Sequence, residues 1–179
     1  MKNWIRAAAA VAFVVGASLP AATPARAASG SGHWVGAWVS SQQVTEHRNL
    51  PPAPGLAGRT LREVIQPTLS GNRLRVTLSN VFGNGPVKIS AAHIARSAGE
   101  SAIEAGSDAT LTFNGAGAVT IEAGASMISD PVAFDVAAFK NLAVTLAVES
   151  VPEHLTGHPG SRMTSFIQPG ADVTAASFA

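Results

Sequence analysis

The chain contains no Cys, so thiolate nucleophiles, thiolate metal sites and disulfides are all excluded. Hydroxyl, imidazole and carboxylate chemistry remains. An activated Ser of the hydrolase kind sits on a tight strand-to-helix turn, written Gly-x-Ser-x-Gly, and that pentapeptide is absent. Gly106-Ser107-Asp108 holds the residues of a Gly-Asp-Ser block in another order, just before a strand, and reads as a turn. The five His are His33, His47, His93, His154 and His158. Glu153, His154 and His158 are the one cluster with any resemblance to a ligand set, but their spacing crosses Gly157 and precedes Pro159, which spoils a helical face. The expectation there is a structural loop with His158 bonded to backbone, no metal, and no catalytic residue anywhere in the chain. No phosphate-cradling glycine loop is present and no cofactor is expected. As a binding rim the sequence offers Ser79 and Asn80, which follow a strand, with His158 and Arg162 in a Gly- and Pro-rich stretch; the plainer reading of Ser79-Asn80 is a turn.

The elements that would carry these residues are strands. Trp34, Gly36 and Trp38 alternate with Val35, Ala37 and Val39; Leu74, Val76 and Leu78 with Arg73, Arg75 and Thr77; Leu142, Val144, Leu146 and Val148 with Ala143, Thr145, Ala147 and Glu149. A period of two sends one set inward and the other outward. On this pattern Trp34 and Trp38 belong to the core, and Arg62, Arg73 and Arg75 form an outward basic stripe. Further strands are expected over 60–66, 87–94, 109–113, 119–121, 127–134 and 164–168, punctuated by turn signals such as Asn114-Gly115 and Pro169-Gly170. Only 136–141 suggests a short helix. The segments 42–58 and 151–162 are irregular and Pro-rich. The fold class is therefore all-β, a β-sandwich or jelly-roll-like single domain.

At 179 residues, 46% hydrophobic and 13% charged, the chain has the size of one domain and a composition far from that of disorder. Twelve basic residues are scattered against eleven acidic ones, which excludes the clustered cations that nucleic acid requires. The first 27 residues combine Lys2 and Arg6, an apolar run from Ala7 to Leu19, and the triplet Ala25-Arg26-Ala27. This is the pattern of a secretory signal peptide, too short in its apolar run to span a bilayer. Cleavage after Ala27 removes Lys2, Arg6 and Arg26 and leaves a secreted, slightly acidic product with no membrane attachment. The expected organisation is residues 1–27 signal peptide, 28–170 β-sandwich, and 171–179 a loosely held linker or the start of a further domain.

Several ordered blocks resemble one family. Trp34-Val35-Gly36-Ala37-Trp38, Leu56-Ala57-Gly58-Arg59-Thr60-Leu61-Arg62, Leu74 to Gly83, Ser129-Asp130-Pro131-Val132 and Thr156-Gly157-His158-Pro159-Gly160-Ser161-Arg162 look like the amino-terminal half of secreted actinobacterial SGNH (GDSL-type) hydrolases. The resemblance implies a β-rich domain placed ahead of an α/β catalytic domain that carries the Gly-Asp-Ser and Asp-x-x-His blocks. Neither block is present here, so the family's activity does not transfer to these residues. The expected function is that of a non-catalytic accessory domain of a carboxylic-ester hydrolase, with the missing catalytic domain as its partner. The alternative is an independent secreted module that binds carbohydrate.

Overall fold

The computed structural model describes residues 33–178, and the expected signal peptide lies outside them. The backbone is all-β: β1 Gln43–Val44, β2 Arg59–Ile65, β3 Gly71–Leu74, β4 Thr77–Ser79, β5 Val87–Gly99, β6 Ala102–Ile103, β7 Ala109–Leu111, β8 Val119–Ile121, β9 Ser126–Ile128, β10 Val132–Val136, β11 Leu142–Ser150, β12 Thr156–Gly157 and β13 Ser165–Pro169. Two three-residue 3-10 turns, His47–Asn49 and Pro159–Ser161, are the only helical pieces among the described residues. The expected 136–141 helix is a turn that Phe139 closes at φ 60°.

The principal sheet has seven antiparallel strands and runs β13-β2-β11-β5, with β8, β7 and β6 paired in succession along the far edge of the thirteen-residue β5. Every residue from Leu142 to Val148 is buried, so β11 is covered on both faces. Leu142, Val144, Leu146 and Val148 face one way and join Ile89, Ile94, Leu111, Phe113 and Phe134 in the core. Alternation of β-branched and aliphatic residues fits a pleated, enclosed strand of this kind.

A second layer closes that core. β3 pairs with β10 and β4 with β9, two short ladders separated by irregularities at Arg75-Val76 and 129–131. Ser129 bridges the gap: its amide donates to the Val76 carbonyl at 2.8 Å, and the Val76 amide donates to its hydroxyl at 2.9 Å. Leu74, Val76 and Leu78 pack inward while Arg73, Arg75 and Thr77 are exposed, the parity that their alternation predicts. The expected 127–134 strand is thus two strands, because Pro131 brings no N–H to a ladder. Asp130 uses the break to accept from the Thr112 hydroxyl and from the amides of Asn114 and Gly115. These donors, the Gly115 amide foremost, hold its carboxyl below the ordinary value.

Three expectations fail, and two of them fail together because outward parity does not guarantee water. Arg62 lies on the outer face of β2 and is fully buried, not part of an exposed stripe. Its Nε donates to Thr145 Oγ1 at 2.8 Å, Nη1 to the Ser101 carbonyl at 2.5 Å and Nη2 to the Ala175 carbonyl at 2.8 Å. What covers it is the carboxy-terminal stretch, expected to be loose. Phe178 stacks 4.3 Å from the guanidinium carbon, Val173 is 6% exposed, and the Ile103 amide donates to Ala176. Burial lowers the Arg62 pKa, and the opposing fields of Asp108 and Asp172 offset only part of that. The third failure is the expected strand over 34–39, which is irregular: Trp34 is 44% exposed and Trp38 only half-buried.

Arg62 also opens a polar row across the outer face. Arg62, Thr145, His93 and Thr110 stand opposite one another on β2, β11, β5 and β7. His93 Nδ1 meets Asp108 Oδ2 at 2.6 Å, closing the row beside the strap formed by residues 171–178.

Candidate functional site

The site grows from the two irregular segments, which prove to be paired. β1 lies antiparallel to β12 with Gln43 opposite Gly157 and Val44 opposite Thr156. Gly157 permits this, since a Cβ there would come within 2.4 Å of Thr45 Oγ1. Immediately after it His158 caps a 3-10 turn entered by Pro159, whose missing N–H has no partner to lose at a helix start. The Ser161 amide returns to the His158 carbonyl at 2.9 Å, and Arg162 leaves the turn in the left-handed region at φ 54°. From the other side, Thr68 donates both its amide (2.7 Å) and its hydroxyl (2.9 Å) to the Ala37 carbonyl, which fixes the backbone next to Trp38.

His158 is the hub. Its ring meets Trp38 edge-on, centroids 5.7 Å apart at 76°. Nδ1 lies 3.1 Å from Ser161 Oγ and Nε2 lies 3.5 Å from Glu63 Oε2, while Glu63 Oε1 accepts from Ser165 at 3.4 Å. Hydrogen bonding to Glu63 raises the His158 pKa against the opposing effect of burial, so the imidazolium is favoured nearer neutrality than in a free side chain.

A hydroxyl, an imidazole and a carboxylate in contact invite comparison with a hydrolytic triad. The nitrogens are used in the opposite sense. In that arrangement Nε2 takes the Ser proton and Nδ1–H is held by the acid, whereas here Nδ1 meets a Ser three residues along the same turn and the carboxylate stands at Nε2. The contact to Glu63 is also at the outer limit of a hydrogen bond. The cluster is suited to holding Trp38 and the 158–162 turn in place.

Beside it opens a groove of about 820 Å³ on the outer face of the principal sheet. Trp38, Val64, Met163 and Phe166 supply its apolar surface, and Gln66, Asn141, Ser161 and Arg162 supply most of the polar groups. Gln66 Nε2 donates to Asn141 Oδ1 at 3.2 Å, which orients the two amides side by side.

Of the four rim residues expected from the sequence, His158 and Arg162 belong to this site. Ser79 and Asn80 do not. Ser79 donates to Gln42 Oε1 at 2.6 Å and accepts from Ser126 at 3.2 Å. Asn80 is fully buried, a correction to its place on a rim: its Nδ2 donates to the carbonyls of Gly85 (2.8 Å), Ile121 (2.9 Å) and Glu122 (3.2 Å). His154 and Glu153 are exposed and do not join His158, and no group of three potential metal ligands occurs among the described residues. Reasoning from sequence missed Glu63, although a signal existed: it shares the parity of Leu61 and Ile65, a carboxylate set between two core aliphatics.

No protein-family model matches the chain, and no curated protein matches it. Among the described residues no helix is long and apolar enough to cross a membrane.

The coupling of His158 to Glu63 has a testable consequence. Because the folded pKa is raised, the pair's contribution is present in full below the unfolded value of about 6.5 and is lost as pH rises through the folded value. Unfolding free energies from denaturant melts between pH 5 and 9 should fall over that window by under about 1 kcal/mol. Glu63→Gln should flatten this step; an unchanged profile would show that the pair does not form in solution.

Proposed function

We propose that the chain is a non-catalytic accessory module of a secreted carboxylic-ester hydrolase of the SGNH type, holding substrate in the Trp38 groove while the chemistry occurs on another domain. The observation that carries this reading is the use of the His158 nitrogens: a ready groove stands beside a hydroxyl–imidazole–carboxylate cluster wired for support. Blocks that carry the family resemblance also supply its framework, including Arg62, Asn80, Asp130 and the 156–162 turn.

Two measurements test it. The purified chain should show no turnover of short p-nitrophenyl esters and take no label from a serine-directed phosphonate, since an unactivated Ser remains an alcohol of very high pKa. Stoichiometric labelling of Ser161 would overturn the reading. The coding DNA beyond the Ala179 codon should encode a Gly-Asp-Ser run in some frame within a few dozen codons; a stop followed by an unrelated gene would argue against the partner domain.

A further inference from the structure

We infer that the Trp38 groove binds a neutral oligosaccharide built of flat pyranose rings, an assignment that rests on the chain being a binding module and not a hydrolase. A pyranose with equatorial hydroxyls is apolar on its faces and polar around its rim, so its site must offer both surfaces within a few ångströms. This groove does. Trp38 and Phe166 provide two aromatic side chains, and Trp38 is held by its edge-on contact with His158, so little side-chain entropy is lost when a ring stacks on it.

The polar rim is equally specific. With Gln66 Nε2 committed to Asn141 Oδ1 and to the Phe139 carbonyl, Gln66 Oε1 and Asn141 Nδ2 retain an acceptor and a donor side by side. Adjacent ring hydroxyls each donate and accept, and such a pair matches them. Arg162 is exposed, has no hydrogen bond or ion pair within the described residues, and is projected from a left-handed position at the groove's edge; its planar fork of donors suits a vicinal diol. Glu100 also lines the groove and offsets the charge of Arg162, which favours a neutral over an anionic sugar. The groove's size falls within the ~300–1,000 Å³ usual for small-ligand sites. An extended peptide would instead pair along the backbone of β13, where Pro169 supplies no donor.

The test is titration calorimetry of the purified full chain with cellohexaose, xylohexaose and chitohexaose, and with hexagalacturonate as the anionic comparison. At least one neutral hexaose should bind at millimolar concentration or below, and more tightly than hexagalacturonate. Arg162→Ala and Asn141→Ala, both at exposed positions, should each weaken binding about tenfold without shifting the melting temperature, and Trp38→Ala should abolish it. Ile128→Ala, exposed on β9 in the second layer, should leave binding unchanged. Absence of binding by every sugar, or binding that survives all three groove variants, would overturn the proposal. So would preference for hexagalacturonate, or a heptapeptide library that binds where sugars do not. Phosphonate labelling is read separately: silent sugars with an unlabelled Ser161 remove the saccharide and keep the accessory module, while a labelled Ser161 removes the accessory module itself.

Discussion

Arg62→Ala is expected to destabilise the domain by about 3–5 kcal/mol and to release residues 171–178 from the outer face of the sheet. Three donors are lost at once, leaving the Ser101 and Ala175 carbonyls and the Thr145 hydroxyl without them, at ~1–3 kcal/mol for each group left buried, together with the cavity that a large side chain vacates. Phe178 loses the cation it covers. Arg62→Lys should recover only part of this, since an ammonium cannot reach three acceptors that a planar fork spans. Denaturant melts report the loss, and hydrogen exchange should show 171–178 unprotected while Leu142–Val148 stays protected. Unchanged stability, or a strap that remains protected, would mean that Arg62 is a passenger in its own pocket.

The second large effect concerns a turn. Gly83→Ala should cost about 2–4 kcal/mol, because a Cβ at that position would lie 1.9 Å from Asn80 Oδ1. Asn80 cannot swing aside, being pinned through Nδ2 by three carbonyls, while its own carbonyl accepts from the amides of Gly83 (3.1 Å) and Gly124 (3.0 Å). Its Oδ1 is the one buried side-chain polar atom without a partner among the described residues, and it points at the glycine. Asn80→Ala should be damaging for the opposite reason, that it strands those three carbonyls. The double variant distinguishes this account from two independent injuries. With the amide gone the new methyl has room, so the combined loss should fall well short of the sum. Strict additivity would show that Gly83 matters for another reason.

What the sequence made legible follows the range of each signal. Leu142 to Val148 and the Leu74, Val76, Leu78 set announce themselves by strict alternation, which depends only on neighbours two residues away. Arg62 obeyed the same rule and was still misread: alternation reports which face a residue takes, and nothing local says that a segment over a hundred residues later covers that face. Trp38 was misread in the opposite direction, a large aromatic in an alternating run that forms no strand and is spent on the groove. His158 and Arg162 could be picked out because a stretch dense in Gly and Pro is irregular and therefore needs a reason to be ordered. Glu63 carried only its place between Leu61 and Ile65, and the Gln66–Asn141 pair carried no signal, since the β13-β2-β11 order that assembles them is a property of the whole sheet. The pairing of β1 with β12 had no local signal either, each being two residues long.

The order of strands in the principal sheet has a bearing on how the chain acquires its shape during synthesis. β2 lies between β11 and β13, so both its neighbours arrive late: Arg62 meets Thr145 across 83 residues and Ala175 across 113. A ribosome that has reached the end of β10 has made β2 and neither of its partners. Folding of this sheet must therefore wait until β11, β13 and the 171–178 strap have emerged, and closing such distant pairs makes it a slow step. Until then the apolar side of β2 and the β5 edge destined for β11 are open to any holdase that binds extended chain.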